Sequence, residues 1–221
     1  MKSRLVEVWE RLVRAGRRLA TRRSFPGWVA FGAGVVVLVA LAVHQMALVG
    51  DFRIDDAYIT FSFSKNLAAG HGPIFSHGVR VEGYSNFLWM LICAAGYLLA
   101  PNADPYWWAR AAALVFLVGA LRAVYRLVRP EAGTVAGFLA MGAVLVNTDV
   151  MRAALSGLET VPFMACIVLG WSAYLRATPP LHPKSLAWFL AAALMRIDGF
   201  VPLLIVLGFE FVSALNDRRF K

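Results

Sequence analysis

Charge is what this sequence has least of. Asp, Glu, Lys and Arg make up 16% of its 221 residues against 60% hydrophobic residues, and the mean hydropathy is +0.65, whereas an ordinary soluble domain carries about 25% charge. A water-soluble globule is excluded. Cysteine is nearly missing too: Cys93 and Cys166 both lie in apolar runs, where a free thiol behaves as a small hydrophobe, so neither a disulfide framework nor a thiolate metal site is expected. The loop histidines His71 and His77 have no companion ligand set and read as turn residues. No internal repeat and no low-complexity linker divides the chain. Acids are the scarcer charge, 13 against 22 basic residues for a formal +9. The basic residues do not gather on one soluble face, so no nucleic-acid partner is expected and their placement reads as membrane topology.

Long apolar runs take the place of charge. Trp28 to Val49 holds 22 residues without a formal charge, about 33 Å as a helix against hydrocarbon about 30 Å thick. It is the expected first transmembrane helix. The eight basic residues before it, including Arg17, Arg18, Arg22 and Arg23, face only Glu7 and Glu10, which puts the N-terminus in the cytoplasm. Residues 1–27 form a cytoplasmic basic segment, with Leu5, Val8, Leu12 and Leu19 at roughly helical spacing, as in an amphipathic helix on the inner leaflet. His44, inside the first span, reads as a packing or interhelical hydrogen-bonding residue.

Further apolar blocks occur at 85–100, 107–128, 133–149, 159–175, 186–195 and 200–215. If 85–100 crossed, Arg122, Arg126, Arg129, Arg176, Lys184, Arg218, Arg219 and Lys221 would all lie outside; if it does not, all lie inside with the basic N-terminus. The second arrangement is preferred, because 85–100 would be only about 24 Å long. Taken as one helix, 186–215 would bury Arg196, Asp198 and Gly199 at mid-membrane, so a break is expected there. Pro179 to Pro183 is a cytoplasmic turn. The expectation is an all-α polytopic membrane bundle over 28–217 with six crossings, a first outer loop with its juxtamembrane helices over 50–106, and a cytoplasmic end at 218–221.

This topology collects the unusual polar residues outside: Asp55-Asp56 with Tyr58, then Glu82, Tyr84 and Asn86, then Arg152 and Glu159, then Arg196 and Asp198. Carboxylates near the hydrocarbon boundary are costly unless paired or hydrated, so their convergence marks a candidate site. In an extended segment Asp55 and Asp56 point opposite ways. One would take a proton from an attacking hydroxyl while the other holds a metal, an arginine or a substrate hydroxyl. The alternative is a helix N-cap ahead of Ala57. Arg110, Arg152 and Arg196 are candidates for a phosphate, with snorkelling as the alternative for Arg110 and Arg152. Trp107 and Trp108 read as an interfacial belt; Tyr58, Tyr84, Asn86 and Trp89 are candidates for an acceptor groove.

Asp55-Asp56-Ala57-Tyr58-Ile59, Gly70-His71-Gly72, Val81-Glu82-Gly83-Tyr84-Ser85-Asn86-Phe87-Leu88-Trp89, Ser156-Gly157-Leu158-Glu159-Thr160 and Arg196-Ile197-Asp198-Gly199 follow one another in order. This set resembles the N-terminal half of bacterial GT-C glycosyltransferases, near the actinobacterial terminal arabinofuranosyltransferases, and is similar in layout to protein mannosyltransferases. The resemblance covers about residues 28–215; Ile197 stands where relatives commonly carry proline. It implies a GT-C-like transmembrane module whose first outer loop carries a catalytic acidic pair, Asp55 and Asp56. It further implies a transferase in the bacterial cytoplasmic membrane, using a polyprenyl-phosphate sugar, a pentose among the options, as donor. The acceptor would be a cell-envelope glycan or lipid, with Glu159 and Asp198 orienting sugar hydroxyls or pairing with arginines. No cofactor is indicated, and a divalent-metal requirement is left open. Because that family continues beyond the point corresponding to Lys221, the expectation is a fragment of a longer reading frame, a reduced protein working with a second polypeptide that supplies the remaining half, or a protein that has lost catalysis; membrane lipids are a further expected partner. A catalytically inactive scaffold of the same fold is the main alternative, and a small transporter with its break at Arg196 to Gly199 is the third.

Overall fold

The computed structural model describes residues 27–76, 81, 83–176 and 182–219. The amphipathic segment at 3–20, His77, Glu82 and most of the turn at Pro179 to Pro183 lie outside the described residues. Every regular element described is helical: α1 (Gly27–Val49), α2 (Ala57–Ala68), α3 (Phe87–Leu99), α4 (Pro105–Val146), α5 (Thr148–Leu155), α6 (Thr160–Tyr174), α7 (Pro183–Met195), a 3₁₀ turn (Ile197–Gly199) and α8 (Phe200–Arg219). Three stretches are long and apolar enough to cross a membrane, Val29–Val49, Pro105–Val146 and Ile197–Leu215, and a fourth arises if α5 and α6, bent by 115°, count as one broken span. This is a membrane protein by the length and composition of its helices. The other expected crossings correspond to shorter elements. α3 has 13 residues, about 20 Å of rise, too short to cross hydrocarbon about 30 Å thick, which is how the 85–100 block was expected to behave.

The chain forms two compact units, one containing Leu121–Met151 and the chain up to Gly50, the other Asp51–Ala120 and Arg152–Lys221. In the first unit α4 does not run straight. Gly133 has φ 87°, ψ 173°, a backbone that favours glycine, and the rings of Tyr125 and Phe138 lie 5.2 Å apart. Thirteen residues of straight helix would separate them by about 20 Å, so the chain folds back at Gly133. The expected blocks 107–128 and 133–149 fall before and after that reversal. α1 meets the second arm closely: a Cβ on Gly34 would lie 2.6 Å from the Phe138 ring, and Phe31 stacks edge-on against the same ring at 5.5 Å. Small residues that let helices approach are the expected glue where lipid is the solvent. Gln45 Nε2 closes this unit by donating to Val146 O at 3.1 Å. His44, expected to pack or to bond between helices, is instead exposed on an open apolar face with Val35, Val36, Val39, Ala40 and Val43.

In the second unit α2 packs on α3, α6 along α7, and α7 against both α3 and α8. Its core is built from Phe61, Trp89, Cys93, Tyr106, Cys166 and Met195. The break between α7 and α8 falls where expected. Arg196 ends α7 in extended backbone (φ −155°, ψ 147°), and Gly199 turns the chain with its N–H donating to Arg196 O at 2.9 Å. Gly199 lies against the backbone of Ala192 and Ala193, where a Cβ would overlap the Ala192 carbonyl group. Backbone cannot yield as a side chain can, so Gly199→Ala should destabilise the unit by roughly 1–3 kcal/mol through overpacking. Gly208→Ala, with nothing within 4 Å, should be neutral or stabilising by up to about 1 kcal/mol from helix propensity. Thermal unfolding of both variants in detergent checks the contrast; equal midpoints would refute the close-approach account.

Candidate functional site

The polar residues of the second unit form two clusters. The first ties down the segment entering α2. Asp104 caps α4, accepting from Tyr106 N at 3.1 Å, with Pro105 at the first helical position, where its missing N–H costs nothing. Its other oxygen holds Arg53 Nη1 at 2.8 Å, and Arg53 Nε reaches Asp51 at 3.0 Å. Arg110, 14% exposed at its side chain, pairs with Asp51 at 2.8 Å. It also donates from Nε to Leu155 O and from Nη2 to Phe52 O, both at 2.8 Å. Tyr106 OH donates to Ile54 O at 2.7 Å, and the guanidinium carbons of Arg53 and Arg110 lie 4.8 and 5.3 Å from its ring centroid. Hydrogen bonds from Arg110 and then Arg53 hold the Asp51 carboxyl below its ordinary value of 3.8, and Asp51 and Asp104 in turn raise Arg53.

The second cluster joins four sequence motifs. Asn86 Nδ2 donates to Thr60 Oγ1 and to Glu159 Oε2, both at 2.9 Å. Glu159 Oε1 receives Arg196 Nη1 at 3.0 Å, and Arg196 Nη2 reaches Asp198 at 3.3 Å. Glu159 stands at the N-terminus of α6 and Arg196 at the C-terminus of α7, the ends where helix dipoles favour a negative and a positive charge respectively. Trp89 Nε1 donates to Gly157 O at 3.1 Å. Gly157 (φ +86°) is a required glycine, since a Cβ there would lie 2.7 Å from the Tyr106 ring. Asn86 Oδ1 is buried without a partner among the described residues.

Asp55 and Asp56 belong to neither cluster. Both are exposed, and among the described residues neither makes a side-chain hydrogen bond or ion pair. They occupy a tight turn, with Ala57 N donating to Ile54 O and Tyr58 N to Asp55 O, instead of the extended segment expected. Asp56 sits at the N-cap position of α2 but in helical backbone (φ −59°, ψ −25°) and without a capping bond from its side chain; the cap alternative therefore lacks its defining contact. The turn is held on both sides, by Tyr106 OH at Ile54 and by Ala57, which is fully buried. Two uncommitted carboxylates thus stand on a fixed backbone, a state suited to accepting a proton or a substrate hydroxyl.

Other expected site residues fall as follows. Tyr58 is half exposed and meets Phe61 and Tyr106 edge-on. Tyr84 stacks on Phe63 at 5.0 Å. Arg152 is exposed on α5, and Glu82 lies outside the described residues. Arg110 neither snorkels nor stays available, since all its guanidinium nitrogens are engaged. Trp107 is 70% exposed, as a belt residue would be. Trp108 instead packs on Gly96 with its indole N–H buried. Asp51, Arg53, Thr60, Asp104 and Tyr106 were not expected at the site; of these, the Asp104-Pro105 cap was readable as a helix start. Among the described residues no group of three or more His, Cys, Asp or Glu is placed to hold a metal ion. No family model, curated protein or solved structure matches this chain.

The low position of Asp51 sets a pH expectation. A carboxylate depressed in the folded state contributes stability that is present above its unfolded value near 3.8 and is lost as the pH falls through the lower folded value. Proteolysis of the 50–57 segment should be constant from pH 7 to pH 5 and accelerate only below about pH 4. Asp51→Asn should remove that acid step and raise cleavage already at pH 7. An acid step of equal size in Asp51→Asn would assign it elsewhere.

Proposed function

We propose that this chain is a membrane glycosyltransferase, or the N-terminal part of one. It moves a sugar from a polyprenyl-phosphate donor to a hydroxyl of a cell-envelope glycan or lipid, at the extracytoplasmic face of a bacterial cytoplasmic membrane. The observation that carries this reading is the state of Asp55 and Asp56: exposed, without a side-chain partner among the described residues, and held on a turn pinned at Ile54 and Ala57. Asp55 takes the proton of the acceptor hydroxyl while its oxygen bonds to the anomeric carbon. The bond from that carbon to the phosphate oxygen breaks, and the lipid phosphate leaves with the electron pair. Asp56 is the second choice of base or the holder of a substrate hydroxyl. Lipid phosphate is a good leaving group, so a base and positioning carry most of the catalysis.

For the donor phosphate, Arg110 is spent on the first cluster and Arg196 is flanked by Glu159 and Asp198. Arg152, the third candidate, is exposed on α5. Tyr58, Tyr84 and Asn86 are assigned to the acceptor side, where Glu159 holds Asn86. The six-crossing topology with a cytoplasmic N-terminus belongs to the same proposal.

One observation favours the scaffold alternative: Thr60, Asn86, Glu159, Arg196 and Asp198 bond to one another, as they would in a purely structural network. The acidic pair separates the two readings. In membranes containing the chain together with any partner polypeptide, sugar transfer from polyprenyl-phosphate donors should fall by about 10²-fold or more in Asp55→Asn, the usual worth of a general base. Protein level should stay unchanged, because the carboxylate holds nothing in the fold. Wild-type transfer that survives both Asp55→Asn and Asp56→Asn would refute the assignment, and no wild-type transfer would favour the scaffold.

A further inference from the structure

The exposed positions of α4 up to Arg129 change character along one helical spacing. Ala111, Val115 and Val118 are exposed and apolar; the series then continues at Arg122, Arg126 and Arg129. Steps of four, three, four, four and three residues keep to one face. Between Leu121 and Arg129 those three arginines are the only exposed positions, with Leu121 and Ala123 buried and the others half-buried.

Like charges at i, i+4 weaken a helix, so the stripe needs a reason. The helix dipole supplies one only for the last turn before the reversal at Gly133; it reaches Arg129 but not Arg122, about two turns earlier. Among the described residues of the same unit the acids are Glu131 and Asp149. Arg129 is further supported by the Tyr125 ring, 5.8 Å away, which itself leans on Phe138.

We propose that Arg122, Arg126 and Arg129 bind the phosphate headgroup of anionic phospholipids, at the level where the apolar face of α4 ends. Guanidinium groups bind phosphate oxygens by paired, charge-assisted hydrogen bonds, and a basic cluster adjoining an apolar span is placed to meet them at the headgroup layer. The inference is independent of the transfer chemistry.

The test places the full chain in phosphatidylcholine nanodiscs doped with spin-labelled phosphatidylglycerol or spin-labelled phosphatidylcholine and reads the immobilised fraction of each. Wild type should hold the anionic label over the zwitterionic one by on the order of tenfold. Arg122→Gln/Arg126→Gln/Arg129→Gln should lose most of that preference, and the corresponding lysine variant should keep much of it. A variant neutralised only within residues 1–27 should also keep it. No preference in wild type, or an undiminished preference in the glutamine variant, overturns the proposal. If the triple glutamine variant fails to fold, Arg122→Gln alone decides: a drop of about twofold or more supports the site, and no drop overturns it.

Discussion

Where a helix ends inside an apolar bundle, the carbonyls it frees have no water to turn to, and each left unpaired is expensive. In this chain, side chains distant in sequence take them. Arg110 accounts for Phe52 O and Leu155 O, Tyr106 for Ile54 O, and Trp89 for Gly157 O. In the other unit Gln45 does the same for Val146 O. These donors let irregular backbone persist beside spanning helices, and they fix it in place. The turn at Asp55 and Asp56 is an outcome: its preceding carbonyl is held by Tyr106, and its following residue is buried beneath Gly157.

The division of labour among charged groups follows from that requirement. Arg110 lies among carbonyls and a carboxylate, so its nitrogens are used within the fold. Glu159 is buried and would be costly as a lone anion, and it is balanced by Arg196, by Asn86 and by the N-terminal end of α6. Asp55 and Asp56 need no such compensation, because exposure keeps them hydrated. Their availability and the rigidity of their turn come from different residues.

Much of this organisation was legible in the sequence. The polar tetrad Arg196-Ile197-Asp198-Gly199 inside a 30-residue apolar run announced a break, because no single helix would bury it. The short block at 85–100 announced a helix unable to span. The gap between the apolar blocks 107–128 and 133–149 separated two arms, although the reversal at Gly133 was not itself read from the sequence. Pairings were not legible. Nothing in hydrophobic periodicity tells that Asn86 meets Glu159, 73 residues on, or that Arg110 meets Leu155 O, 45 residues on. Such contacts depend on how helices are brought together, and Arg110 accordingly looked like a phosphate ligand. Trp108 failed for the same reason: it resembles its neighbour Trp107 in sequence, yet the absence of a side chain at Gly96 draws it inward.

The arginines show how position decides the use of one residue type. Arg110 stands where helix ends converge, so freed carbonyls compete for it and its charge is neutralised within the protein. Arg122 lies mid-helix, where every backbone carbonyl within reach is already bonded four residues on. A guanidinium with five donors in that setting has only side chains, water or an external anion to satisfy it. Along the same helix the supply of acceptors changes while the residue does not. Backbone breaks therefore determine which charges serve the fold and which remain to meet molecules outside it.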